Sequence, residues 1–396
     1  MTSSVLGSVT LGFEPIWNQK RQCTAVRLFA APLNSTGVDA RHLLEAIASA
    51  WPGTAPTLLL NVQSPDLLCD LLDQPHARGV WLEVADTWLS DTALTERVQQ
   101  AHQCGWPIVW SGPAGHAPPP HSTAWFQKTL RSLTPQEALR TLHAIQHPTS
   151  PSPVLAGCLY QGLASQALVD HALDRQSIWG VVGWPVDEIL HVHRFRQIQP
   201  SRQHIRALLK AQESDASLET VEQLLSEEPL LTYRFLRYAN SAHLGARREV
   251  NTIRQGLMVM GYTQLRTWLM EQIATGNDDL DLAPIRASMV LRGRLMEHLC
   301  EAGIENELRR EVYLCGIFSQ LDLLLGEPIG AAIQRLPLPG RITSALIGQT
   351  GPYTAWLTVA TALESGNTRM IREVCNAHKI SANDVNRALL HALAAL

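Results

Sequence analysis

The sequence predicts an α/β plus all-α molecule: an N-terminal TIM-like barrel with one antiparallel strand over residues 1–200, and an all-helical domain over residues 201–396. Three observations carry this expectation. Nine of eleven tryptophans and seventeen of twenty-three prolines fall within residues 1–200, a compositional break that marks a boundary near Pro200. Before that point short β-rich runs alternate with helix-length segments, and from Ser201 onward the pattern is helical throughout. With 396 residues and 45% hydrophobic content, the chain is long enough to build substantial cores.

The strand candidates, in order, are an opening run near residues 9–17, then 24–30, 57–62, 79–84, 107–110, 123–127, 154–159 and 178–183. β-Branched and aromatic residues mark them, and the count approaches the eight of a closed barrel. Residues 18–23 are too short for the crossover of about a dozen residues that parallel neighbours need, so the first two strands are expected to be antiparallel. Thr134-Pro135-Gln136-Glu137 announces a helix: Thr caps, Pro suits the first turn, and Glu at the third position closes the box. In the second half, Leu218, Val221, Leu224 and Leu225 form one apolar stripe. Ile253, Leu257, Met260, Trp268 and Leu269 form another after the box Thr252-Ile253-Arg254-Gln255. Further helices are expected near 285–302, 308–325, 353–364 and 382–395.

Charge and cysteine content exclude several classes of function. Lys+Arg 32 against Asp+Glu 36 gives a net charge of −4. Residues 1–200 hold 12 basic and 15 acidic residues, and residues 201–396 hold 20 and 21, so neither half is a basic nucleic-acid module. Seven cysteines without a Cys-x-x-Cys pair suggest neither a disulfide framework nor a zinc ribbon, and a cytoplasmic location is expected. Neither a signal peptide nor an apolar run of about 20 residues is found, so no membrane association is expected.

Reacting groups in such a barrel stand at the carboxyl ends of strands, which selects Asn61, Gln63, Glu83, Asp86, Ser111, Gly112, Lys128 and Tyr160. Only Glu83 and Asp86 are carboxylates, few for a cation that activates water. Fifteen histidines invite a metal-hydrolase reading of the helical half, yet no His is followed by Asp, the adjacent pair through which helical phosphohydrolases bind a catalytic metal. His191, His193 and His298 are read as solvent-facing or satisfied interior residues. Phosphate-loop, dinucleotide, nucleophile-elbow and zincin signatures are absent. Arg247-Arg248, Arg309-Arg310, Arg292 and Arg294 offer an anionic-ligand surface, but acidic neighbours Glu249, Glu311 and Glu297 favour a solvated face. Pro118-Pro119-Pro120 reads as a stiff loop rather than a polyproline recognition segment. No catalytic, cofactor-binding or metal-binding residue is assigned.

The helical half resembles the HDOD domain, a modified HD-type module. The resemblance rests on Glu228-Pro229-Leu230-Leu231, the run from Arg234 to Ala242, Gly261, Leu265-Arg266-Thr267-Trp268-Leu269, and the run from Gly316 through Phe318-Ser319 and Leu321-Asp322 to Gly326. It implies a bacterial signal-transduction regulator of EAL–HDOD type, because the last run is similar to HDOD proteins that carry an N-terminal EAL-type domain. The first half then resembles an eroded EAL domain, whose intact relatives hydrolyse cyclic di-GMP in a barrel with one antiparallel strand. Glu14-Pro15-Ile16 is similar to the family's opening Gln-Pro-Ile, which places the family's metal-binding Glu at Arg27. Unit charges about 4 Å apart interact by about 4 kcal/mol at an effective dielectric near 20, so a guanidinium there opposes a divalent cation. The family's paired aspartates fall on Ser111 and Gly112, its later acidic residue on Gly157, and its closing Gln on Trp179. Asn61, Glu83 and Lys128 match family positions. Trp110 and Trp179 are read either as filling the ancestral pocket or as ordinary core aromatics.

The reading that follows is a non-catalytic cytoplasmic signal-transduction regulator or scaffold, without cofactor, that acts by binding an unidentified signalling protein. The alternatives are a cyclic di-GMP sensor and a residual cyclic di-GMP phosphodiesterase.

Overall fold

The computed structural model describes residues 4–34, 37–147, 151–241, 249–300 and 306–396, the side chain of Asn306 excepted. The chain falls into two compact units, Met1–Glu188 together with Thr361–Leu396, and Ile189–Ala360.

In the first unit eight strands close a barrel in sequence order: β1 (Val9–Trp17), β2 (Cys23–Pro32), β3 (Thr57–Val62), β4 (Val80–Ala85), β5 (Ile108–Pro113), β6 (Phe126–Ser132), β7 (Leu159–Gln161) and β8 (Gly180–Val182). β1 is antiparallel to both β2 and β8, and the remaining neighbours are parallel. The tight β1–β2 turn uses Arg21 at φ 55°. Its guanidinium is pinned by Asp170 at 2.8 Å and Asp174 at 2.5 Å. Ile16, Ala25, Leu59, Trp81, Val109, Leu130, Leu159 and Val182 meet as one cluster, one side chain from each strand. Side chains alternate along a strand, so this cluster defines which positions face the barrel interior. The helix Pro135–Gln146 starts at Thr134 with both halves of the expected capping box formed.

Two strands lie later than their sequence patterns suggest. Residues 123–125 form a 3₁₀ turn and β6 begins at Phe126. The Pro119 carbonyl accepts from the Ser122 amide and from the hydroxyls of Ser122 and Thr123, so the triple proline ends in a closed turn. Residues 154–158 are likewise not strand: Gly157 sits at φ 72°, a left-handed conformation that interrupts an extended run.

The helices Thr368–Ala377 and Ala382–Ala394 belong to the barrel unit. Asn386 is buried against β1: its Oδ1 accepts from the Leu11 amide at 3.2 Å, and its Nδ2 donates to the Leu6 and Val9 carbonyls, each at 2.8 Å. A Cβ on Gly12 would come within 2.3 Å of the Ser365 carbonyl oxygen, so the returning chain can seat there only against glycine. The observed units thus differ from the expected division into 1–200 and 201–396. Residues 361–396 pack with the barrel, and residues 189–200 go with the helical unit. An amphipathic stripe shows that a helix has an apolar face without showing which core receives it.

The second unit is helical from Arg202–Glu213 to Gly340–Ile347. Ile253, Leu257, Met260, Trp268 and Leu269 are all buried, as their stripe predicts. The helix Ile253–Thr275 that carries them kinks at Gly261, φ 68°. The run expected as one helix over 308–325 divides into Asn306–Phe318 and Leu321–Leu325, where Ser319 folds its amide and hydroxyl back to the Gly316 carbonyl. Gly316 and Gly293 let two helix backbones touch: a Cβ on Gly316 would lie 2.6 Å from the Gly293 Cα.

Candidate functional site

The inward-facing side chains at the carboxyl end of the barrel strands converge on Arg27. Its Nε donates to Glu83 Oε2 at 2.7 Å and its Nη2 to Glu83 Oε1 at 2.6 Å, a two-pronged ion pair. Nη1 reaches Gln161 Oε1 at 3.0 Å and Glu14 Oε2 at 3.4 Å. The guanidinium also lies 4.8 Å from the centre of the Phe29 ring. Arg27 and Glu83 are both buried, Glu83 at 2% exposure. Burial works against the guanidinium charge, but Glu83 and Glu14 outweigh it and hold the Arg27 pKa above its ordinary value. Burial pushes the Glu14 carboxyl above the ordinary carboxylate range, more than Arg27 pulls it down.

Asn61 stands beside Glu83 in the β3–β4 register. Ser111 is buried at the end of β5, next to Gly112. A Cβ on Gly112 would lie 2.6 Å from the Trp110 ring, so an aspartate cannot be accommodated there while Trp110 keeps its place. Trp110 is held by its Nε1 donating to Asp86 Oδ1 at 3.1 Å. The other Asp86 oxygen lies 3.0 Å from His116 Nδ1, and Arg131 donates to the Ala114 and His116 carbonyls. Trp110 therefore crowds Gly112 along the same face of β5. Trp179 precedes β8 and packs on Trp81, ring centres 5.3 Å apart, as part of the interior cluster.

Several of the singled-out residues stand elsewhere. Lys128 lies in mid-strand opposite Val109 rather than at the end of β6. The Tyr160 hydroxyl accepts from the Leu155 amide within the cluster that joins β7 to its flanking helices. Gln63 contacts the returning chain, donating to the Gly366 carbonyl and accepting from the Thr368 hydroxyl. Gly157 precedes β7, at the opposite end from the mouth. The β7 residue at the mouth is Gln161, which sequence reasoning missed; Gly162 at φ 83° directly after it marks the strand end. Glu14 was readable: it shares the parity of Ile16 and is the one charged residue of β1.

A divalent cation does not fit this set of residues. The Glu83 carboxylate is engaged by Arg27, Ser111 and Gly112 supply no charge, and the Arg27 guanidinium itself places a cation among them. Among the described residues no group of three or more His, Cys, Asp or Glu is placed to hold a metal.

In the helical unit the motif residues act as pins. Glu228 is fully buried; it caps the helix Pro229–Ala239 through the Leu231 amide, accepts from the Ser201 amide, and lies 3.0 Å from Arg286 Nε. Arg234 reaches the side-chain oxygens of Gln199 and Gln272. Asn240 exchanges two hydrogen bonds with the Val250 backbone. A cleft of about 290 Å³ is lined by Glu222, Glu227, Glu297, Arg294, Arg310 and Tyr313, among others. Arg310 pairs with Glu222 and Arg294 with Glu227, each at 2.9 Å, so these arginines balance carboxylates. Arg247, Arg248 and Ala242 lie outside the described residues. No helix is long and apolar enough to cross a membrane among the described residues.

A closed α/β barrel whose mouth holds a buried arginine–glutamate cage, together with a helical unit pinned by these residues, defines the architecture of the chain. Residues 197–326 match the HDOD domain, and the chain carries that domain. Its relatives include uncharacterized protein YuxH of Bacillus subtilis (strain 168), 24% identical over 164 residues, 40% of this chain and 40% of that protein. Another is the cyclic di-GMP phosphodiesterase CdgJ of Vibrio cholerae serotype O1, 22% identical over 207 residues, 52% of this chain and 45% of that protein. The matched stretches span less than half of either relative's length. Similar solved structures include the MmoQ response regulator from Methylococcus capsulatus, at 18% identity and TM-score 0.41, covering 49% of this chain and 99% of that one. Klebsiella pneumoniae BlrP1 in a manganese and cyclic di-GMP complex is similar at 12% identity and TM-score 0.31, covering 45% of this chain and 55% of that one.

Proposed function

We propose that this chain is a non-catalytic cytoplasmic regulator of the cyclic di-GMP signalling families that works by binding another signalling protein. The observation that carries the reading is the Arg27 guanidinium lodged between Glu83, Glu14 and Gln161. Metal-assisted phosphodiester hydrolysis needs anionic oxygens around a divalent ion and an activated water. Here the oxygens surround a side chain that cannot leave and never loses its proton. The barrel then serves as a rigid body, and the pinned HDOD helices offer exposed surface to a partner.

The test is turnover and calorimetry of cyclic di-GMP with magnesium and with manganese. The expected result is neither hydrolysis nor binding heat. Hydrolysis abolished by Glu83→Gln would refute the proposal, and binding without turnover would make the chain a nucleotide sensor.

A further inference from the structure

Among the described residues of the helical unit the most exposed large apolar side chain is Phe195, 85% exposed, with Val192 also exposed. It lies in a turn over residues 194–196 that follows the helix Val186–His193. The turn is ordered from within. The Arg196 amide donates to the His193 carbonyl, Arg194 Nη1 donates to the His191 carbonyl at 2.9 Å, and the Arg194 guanidinium stacks 4.5 Å from the Phe195 ring centre. His193 is anchored by Asp279 Oδ2 at 3.2 Å. Neither Arg194 nor Arg196 has a carboxylate within ion-pair distance among the described residues. From Ile189 to Gln212 the chain holds five Arg and Lys and no Asp or Glu, although its net charge is −4.

We propose that this turn is a docking site for an acidic segment of a partner protein, one that sets an apolar side chain against Phe195 and carboxylates against Arg194 and Arg196. The site rests on the protein-binding reading above and gives that partner a chemistry. Aromatic and arginine side chains are the residue types that anchor protein interfaces, and the guanidinium fork matches a carboxylate. An arginine already stacked on its neighbour gives up less freedom on binding. Two competing ligands suit the turn less well. Anionic bilayers recruit clusters of about 4–8 Lys and Arg, whereas two flank the aromatic here and the other three of the stretch lie on the next helix, Arg202–Glu213. Salt-driven nucleic-acid binding draws on about 6–10 phosphate contacts, more than the whole acid-free stretch supplies.

The test uses the full chain and a fluorescent peptide alternating Glu and Leu, read by anisotropy, beside phosphatidylserine vesicles and duplex DNA. The variants are Phe195→Ser and Arg194→Glu with Arg196→Glu; all three side chains are exposed, so thermal melts check that the fold is kept. Binding of the peptide that weakens with salt and falls about tenfold or more in both variants is expected, the size of an interface anchor. Failure of the peptide to bind, equal binding to the variants, or preference for vesicles or DNA overturns the site. If a partner identified for the full chain binds the variants as well as the parent, this turn is refuted and the scaffold reading stands; cyclic di-GMP turnover refutes that reading alone.

Discussion

At the scale of single residues, the decisive feature is a buried ion pair whose members face each other with no exposed alternative. Removing one partner of such a pair leaves an uncompensated charge and costs about 3–5 kcal/mol. Arg27→Met should therefore destabilise the barrel by about that amount in denaturant unfolding, because Glu83 loses both of its charged hydrogen bonds. Glu14 behaves in the opposite sense. Folding raises its pKa, chiefly through burial, so the folded chain binds this proton more tightly than the unfolded chain does. The carboxyl's contribution to stability is complete below the ordinary carboxylate range and declines as pH rises through the raised folded value. Glu14→Gln should raise Tm at pH 7 and converge with the parent as the pH falls towards about 4. A variant that lowers Tm at pH 7 would show that the contact with Arg27 outweighs the burial. Arg27 was legible in the sequence because counting from Glu14-Pro15-Ile16 places it. Gln161 was not, because a three-residue strand carries too little alternation to show which residue ends it.

Among the elements, the helices Ala283–Leu299 and Asn306–Phe318 show how small residues set a packing distance. Gly293 and Gly316 meet backbone to backbone, and neither reads as a core position on apolar periodicity. Gly316→Leu should lower stability by about 3 kcal/mol, the upper end for an overpacked core, since backbone has to move. A loss below about 0.5 kcal/mol, the scale of a surface change, would show that the two helices separate freely. The strand over 57–62 was legible from its apolar run Leu58-Leu59-Leu60 with Val62, and is observed with those bounds. The run at 154–159 misled for a local reason: Val154 is buried in the cluster beside β7, Leu155 is exposed, and the left-handed Gly157 prevents extension.

For the molecule as a whole, the helical unit is an insertion: the chain leaves the barrel unit after Glu188 and returns to it at Thr361. Asn386 is the test of that return. Replacing it by Leu leaves the Leu11 amide and the Leu6 and Val9 carbonyls without their side-chain partner. Each buried polar group left unpaired costs about 1–3 kcal/mol, so Asn386→Leu should destabilise the barrel unit by about 3 kcal/mol or more. Hydrogen exchange should quicken at the Leu11 amide, with the Glu228–Arg286 pin in the helical unit unaffected. Unchanged exchange at Leu11 would mean that the terminal helices are not part of the barrel's cooperative unit.

The sequence by itself determined the two architectures and the antiparallel first hairpin. Each follows from local pattern: composition, and a connection too short to cross over. Only the tertiary structure decided that Glu83, Glu14 and Gln161 close around Arg27, that Trp110 crowds Gly112, and that the last helices complete the barrel. Those outcomes depend on strand register and on which core accepts an apolar face, and both are set by residues far apart along the chain.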